Sequence, residues 1–304
     1  MPNWNELLDE VKGAGSVHDI VRRKYVRRLS ELTGRNTIIY YSGWLQKAHL
    51  VGPESDVLAV NDADIGGFMT VIHQMDRSRG LDLVLHTPGG SVAATEAVVG
   101  YLKSMFDNDI RAIVPQLALS AGTMIALACK SIVMGKHSSL GAIEPHYGGI
   151  SAHGVLEEFE QARDEILANP DTALVWQPIL AKYPPAFIGD CQKAITWAGE
   201  MVAAWLREGM FAGRSHAARQ ADAIVEELSS HQATKSHDRD ISSAAAQALG
   251  LKIELLETEG NQRLQDAVLT VHHACTHTLA GTNAVKLIEN QNGISYVSML
   301  ASAP

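Results

Sequence analysis

The chain has few cysteines, no long apolar run and no excess of basic charge, and each shortage removes a class of function. Its 304 residues include three cysteines, Cys129, Cys191 and Cys275. An odd number at wide spacing makes no disulfide framework and fits reduced thiols in a cytoplasmic protein. No uninterrupted apolar stretch reaches the roughly 18 residues of a membrane-spanning helix, so no membrane span is expected. The opening residues, MPNWNELLDEVKGAGS, carry charges where a secretory signal would be apolar, so no export signal is expected either. The formal net charge is −9, a balance that argues against a nucleic-acid partner. Nucleotide signatures are missing too. Gly66 and Gly67 in DIGGFM stand outside any G-x-G-x-x-G run, and there is no Walker-type GKS. There is no internal repeat and no low-complexity segment. What is present is an ordinary globular composition, 46% hydrophobic and 19% charged, in a chain long enough to bury a sizeable core.

The periodicities divide the chain into a helical N-terminal segment, 1–35, and a main domain, 36–304, with a helical insertion at about 153–228. Residues 3–34 read as helix, and the basic run RRKYVRR at 22–28 reads as a solvated face or as a contact for an acidic partner or membrane surface. NTIIYYSGW (36–44) has the β-branched and aromatic content of a strand. NDADIGGFMTVIHQMDRSRG (61–80) is helical in its spacing, and LDLVLHTPGG (81–90) is a continuous apolar run stopped by Pro-Gly-Gly, as in a buried parallel strand. SVAATEAVVGYLKSMF then reads as helix, IRAIVPQLA as strand, SAGTMIALACK as helix, SIVMG as strand, and SSLGAI as turn and strand. This alternation predicts an α/β fold with a mostly parallel sheet and right-handed crossovers. After residue 150, GVLEEFEQARDEILAN and PPAFIGDCQKAITWAGEMVAAWLREGM read as amphipathic helices. DISSAAAQALGLKIELLE reads as a capped helix, a glycine and a short strand, and the tail as helix then strand.

Two stretches, HTPGGSVAATEAV at 86–98 and ALSAGTMIALACKSIVMGKHSSLGAIEPH at 118–146, combine bare backbone with polar groups that packing does not call for. Ser120 opens a helix, where a serine ordinarily caps a backbone N–H. A catalytic serine needs more, namely an oxyanion hole and a base. Ala121 and Gly122 are small enough for a substrate carbonyl to approach the Ser120 hydroxyl, and a helix N-terminus favours developing negative charge. Gly89 and Gly90 expose backbone N–H groups directly after a parallel strand, where α/β folds place ligands.

Taken in order, HTPGG and SAGTMIALACKSIVMGKHSSLGAIEP resemble the Clp protease/crotonase superfamily, and more specifically the serine dehydrogenase proteinase family, relatives of signal peptide peptidase A. The likeness extends to SHDRDISSAAAQALGLKI (236–253) and to KLIENQNG (286–293), so it covers most of residues 36–295. It implies a ClpP/crotonase-like βαβ superhelix and peptide-bond hydrolysis through an acyl-enzyme. Ser120 would be the nucleophile, with Gly90 and Ala121 as oxyanion donors and Gly89 beside them. It also implies a peptide or protein substrate, no cofactor or metal, and assembly into a homo-oligomer. Many family members carry an N-terminal membrane span; here a polar helix stands in its place, which weakens the expectation of a membrane-peptide substrate.

Two residues compete as the base. His146 lies 26 residues after Ser120, close to the separation in Clp proteases, and a histidine needs no unusual pKa. The signal-peptide-peptidase branch uses a lysine, which must be desolvated to act as a base. Lys193 in DCQKAITWAG, followed by Ala, Ile and Trp, is expected to lie against the sheet; Lys182 in AKYPP, beside a helix end, is the poorer alternative. The choice between Lys193 and His146 stays open at this level. Glu144 before Pro145 offers an acid/base for a crotonase-type acyl-CoA thioester enzyme, and a non-catalytic scaffold would leave Ser120 as a cap. His272, His273, Cys275 and His277 in HHACTH form either an interfacial histidine group or a zinc patch lacking an obvious fourth ligand. His237 and Asp238 read as a turn or as a pair supporting the active site.

Overall fold

The structure, a computed structural model, describes residues 4–13, 18–50, 55–147, 149–229 and 240–300. His237 and Asp238 lie outside them. At the centre is a seven-stranded sheet of order β10-β5-β3-β2-β1-β11-β12. β1 (Asn36–Ser42), β2 (Leu81–His86), β3 (Ile110–Val114), β5 (Ser131–Met134) and β10 (Ile253–Leu255) run parallel. β11 (Ala284–Asn290) and β12 (Ser295–Met299) close one side antiparallel. The expected alternation of apolar strand and crossover helix is therefore present. α3 (Ala63–Ile72), α4 (Val92–Phe106) and α5 (Ala121–Leu127) make the crossovers between the parallel strands.

The strand alternation sorts the core into two faces. Ile38, Tyr40, Leu83, Leu85, Ala112, Ile132 and Met134 point to the side covered by α3, α4 and α5. Ile39, Tyr41, Val84, Ile113 and Val133 point to the other. That second face is covered by α1 (Trp4–Gly13), α2 (His18–Thr33) and α11 (Gln262–Gly281). Strands covered on both faces have no polar side to show, which is why β1 and β2 read as continuous apolar runs.

Three expectations change. IRAIVPQLA is not one strand: Pro115 cannot donate to a ladder, and β3 gives way to β4 (Leu117–Ala118). β4 joins a separate small sheet with β6 (Ser139–Leu140) and β9 (Ile241–Ser242). The tail after α11 is a hairpin rather than one strand, turning at Gly293, whose φ is 80°. The basic run is not a solvated face throughout. Arg22 is fully buried, 2.6 Å from Glu289 on β11 and 2.7 Å from Asp19. Arg23 also pairs with Glu289, and Lys24 pairs with Glu10.

The helices after residue 150 are α6 (Ala152–Ala168), α7 (Ala173–Leu180), α8 (Phe187–Glu208) and α9 (Ala217–Ser229). The C-terminal half of α8 packs Ala198, Val202, Trp205 and Leu206 into the main core, while Cys191 joins a small cluster with Ala152 and Val155 of α6. β7 (His146–Tyr147) and β8 (Ile150–Ser151) form the hairpin that leads into α6, and α10 (Ser243–Ala248) follows β9. Among the described residues no helix is long and apolar enough to cross a membrane.

Candidate active site

Ser120 stands in an unusual backbone. Its φ and ψ are 49° and −115°, and the Gly122 N–H donates to Leu119 O at 2.7 Å across it. These are the dihedrals of the first central position of a type II′ turn, which glycine ordinarily fills. A side-chain-bearing residue there costs about 1–3 kcal/mol, and such positions cluster at functional sites. The Ser120 side chain makes no capping hydrogen bond to α5. The ordinary use of a serine at a helix start is therefore not in effect here.

The Pro-Gly-Gly turn is pressed against this turn. Gly89 has φ of 105°, and a Cβ on it would lie 2.7 Å from Ser120 Cβ. Gly90 forms a parallel bridge with Val60: the Val60 N–H donates to Gly89 O at 2.7 Å and the Ser91 N–H donates to Val60 O at 2.9 Å. A Cβ on Gly90 would come 2.3 Å from Val60 O. Glycine is needed at both positions by close approach. The Gly89 N–H donates to Thr87 Oγ1 at 3.2 Å, so it is occupied. Among the described residues the N–H groups of Gly90 and Ala121 enter no hydrogen bond.

Ser120 and Gly90 line a cleft of about 1000 Å3 together with Val60, Met124, Glu144, His146, Lys193 and Trp197. One cleft thus collects Ser120, Gly90 and both candidate bases. The buried Thr123 hydroxyl ties α5 to the segment carrying His146: it donates to Ala118 O and accepts the Gly141 N–H at 2.9 Å.

His146 Nδ1 is 3.0 Å from Glu144 O. If Nδ1 carries the proton in that bond, Nε2 is left with a lone pair. Glu144 is buried, accepts a hydrogen bond from Ser151 and lies 3.3 Å from His153 Nδ1. Burial works to raise its pKa, but His153, Ser151 and the charge of His146 outweigh that and bring it to about 2. A carboxylate so held is a poor proton donor, which counts against the crotonase-type role.

The burial expected of Lys193 is not found. Its side chain is 81% exposed, with Nζ 3.4 Å from Asp190 Oδ1. The stripe that seats α8 runs through Cys191, Ala198, Val202 and Trp205, and Lys193 lies two residues beyond Cys191, about 200° round the helix. The apolar neighbours that suggested desolvation belong to different faces. Lys182 is also exposed and does not line the cleft.

The HHACTH residues point in different directions. His277 and His273 bracket Trp4 of α1, with ring centroids 3.7 and 5.8 Å away, and Cys275 is buried. His272 turns toward His86 and Tyr41 instead. No three His, Cys, Asp or Glu side chains among the described residues are placed to hold a metal ion. Sequence reasoning passed over Val60, the backbone partner of Gly90, and nothing in LAVNDAD marks it.

The chain is similar to two uncharacterized proteins of Methanocaldococcus jannaschii. One is 31% identical over 160 residues, covering 51% of this chain and 54% of the relative. The other is 36% identical over 95 residues, covering 30% and 32%. The matches thus span about half and a third of these relatives' lengths. A mutant of the 1510-N membrane-bound stomatin-specific protease aligns over 68% of this chain and 79% of its own, with 17% identity and a TM-score of 0.41. The family model for the ClpP-like SDH-type serine proteinases matches residues 16–265, and the chain belongs to that family.

Proposed function

We propose that the protein is a serine peptidase that cleaves peptide bonds through an acyl-enzyme on Ser120. The observation that carries this reading is the Ser120 turn: a hydroxyl that makes no capping bond, on a strained backbone, in a cleft also lined by Gly90, whose N–H, like that of the adjacent Ala121, enters no hydrogen bond among the described residues. Ser120 Oγ attacks the scissile carbonyl while a base takes its proton. The carbonyl oxygen becomes an oxyanion and accepts hydrogen bonds from the Gly90 and Ala121 N–H groups. Collapse of the intermediate breaks the C–N bond, and the base returns the proton to the leaving amine. Water then attacks the acyl-enzyme and gives a proton to the same base; collapse of the second intermediate breaks the ester C–O bond, the base returns that proton to Ser120 Oγ, and the carboxylic product leaves.

His146 is the base we favour, because the Glu144 carbonyl orients its ring and no desolvation is required. Lys193 is the second reading, supported by its place in the same cleft; it would need cover that a partner subunit in a homo-oligomer could bring. The exposed Leu167, Leu174 and Val175 of the helical insertion would supply contacts for such an assembly.

The test is hydrolysis of a quenched-fluorescent peptide library. Activity that resists a chelator and disappears in Ser120→Ala supports the reading, whereas turnover of CoA thioesters without peptide cleavage would overturn it. For the base, His146→Ala is expected to abolish hydrolysis and Lys193→Ala to leave most of it. The opposite pattern would assign the role to Lys193.

A further inference from the structure

The turn that carries Gly90 is gripped from behind by a buried ion pair. Lys286, in β11, has its ammonium 2.7 Å from Asp64 Oδ1 and donates to Ala59 O at 2.6 Å. Asp64, in the first turn of α3, accepts on Oδ2 from the Tyr40 hydroxyl at 2.6 Å and from the Asn61 N–H at 3.0 Å. All three side chains are almost completely buried. The pair therefore holds the carbonyl just before Val60 and the amide just after it. Val60 in turn holds the turn by both its backbone groups, to Gly89 O and from the Ser91 N–H.

Buried charges make this arrangement a poor stability device. Well-packed apolar residues of similar volume usually serve a fold as well as or better than a buried ion pair. What the pair does supply is directional bonding at a place where direction matters. An oxyanion donor works only within about 2.7–3.1 Å of where the oxygen will sit. The segment being held is otherwise a short 3-10 turn, Ser55–Val57, followed by a turn and a bend at Leu58 and Ala59, and among the described residues it has no sheet ladder beyond the single bridge at Val60. Burial and the Asp64 charge hold the Tyr40 phenol well above its ordinary range, so it stays a donor.

We propose that Lys286, Asp64 and Tyr40 are positioning residues of the oxyanion hole, acting through Val60 to place the Gly90 N–H. The inference rests on the reading that Gly90 donates to the oxyanion. None of the three side chains touches substrate in it.

The experiment compares the full chain with Tyr40→Phe, Asp64→Asn and the paired replacement Lys286→Met with Asp64→Leu. Tyr40→Phe keeps the core volume and the ion pair; Asp64→Asn leaves the Lys286 charge alone, and the paired replacement, which removes both charges together, controls for that. Two quantities are read: kcat and KM on a fluorogenic peptide, and the rate at which a fluorophosphonate labels Ser120. The expected result is a fall of about 10- to 100-fold in kcat, with KM within about twofold and labelling slowed in proportion. A lower melting temperature with wild-type kcat and labelling would make the residues structural only and overturn the inference. A raised KM with unchanged kcat would also overturn it. Absence of labelling in the wild type overturns the Ser120 reading itself, and this inference with it.

Discussion

Ser120→Gly and Ser120→Ala both delete the hydroxyl, but only the first also deletes the Cβ that makes φ of 49° costly. Both variants are expected to be inactive. They should differ in stability. Releasing the side chain from this backbone gains about 1–3 kcal/mol. The greater freedom of glycine in the unfolded chain takes back about 0.5–1 kcal/mol. The net expectation is that Ser120→Gly is more stable than Ser120→Ala by about 1 kcal/mol, within a range of about 0–2.5 kcal/mol. For a cooperative unit of this size that is a rise of up to roughly 5 °C in melting temperature. Neither substitution crowds the neighbouring turn, because each removes atoms facing Gly89. Thermal melts of the two purified variants at one concentration and pH decide the matter. If Ser120→Gly melts below Ser120→Ala, the backbone is not under strain, and the case for a position kept for its side chain fails.

Gly90→Ala places a Cβ 2.3 Å from Val60 O, so the bridge must open; kcat should fall by about 100-fold or more, with a loss of about 1–3 kcal/mol in urea melts. His86 and His272 are held neutral by burial, their pKa values brought from 6.5 to about 3. The unfolded chain takes up a proton on each below about pH 6.5 and the folded chain does not until about 3, so stability is whole above pH 6.5 and falls as pH drops. The slope is about 1.4 kcal/mol per pH unit for each histidine, and His272→Phe should flatten the acid limb of a pH series of urea melts; an unchanged limb would contradict it. Arg22→Met leaves Glu289 with the partly exposed Arg23 as its charged partner, and should cost about 1.5–3 kcal/mol by the same melts, less than a buried charge left wholly unpaired.

The parallel core was legible because strands covered on both faces must be apolar throughout, and β1, β2 and β5 fall where the sequence places them. That the Pro-Gly-Gly turn and the Ser120 turn belong together is suggested by bare backbone between a strand and a helix, but it takes the family resemblance of the two motifs to single them out, and the structure presses the two turns against each other. The burial expected of Lys193 fails because apolar neighbours in sequence are not neighbours on a helix, and a shift of two residues carries a side chain to the opposite face. Lys286 shows the converse. It is buried and paired, yet in AVKLIEN its charge looks like any polar position on an edge strand, and its partner Asp64 lies more than two hundred residues away. The hairpin after α11 reads as a single strand only if the Asn-Gly of NQNG is passed over; that dipeptide is the turn signal that divides β11 from β12.

The central claim is that Ser120 is a nucleophile facing an oxyanion hole. It is tested most directly by treating the full chain with a fluorophosphonate and mapping the adduct by tandem mass spectrometry. One phosphonyl group is expected, on Ser120, absent from Ser120→Ala and slowed in Gly90→Ala. No adduct on a folded protein, or an adduct on another serine that persists in Ser120→Ala, would contradict it.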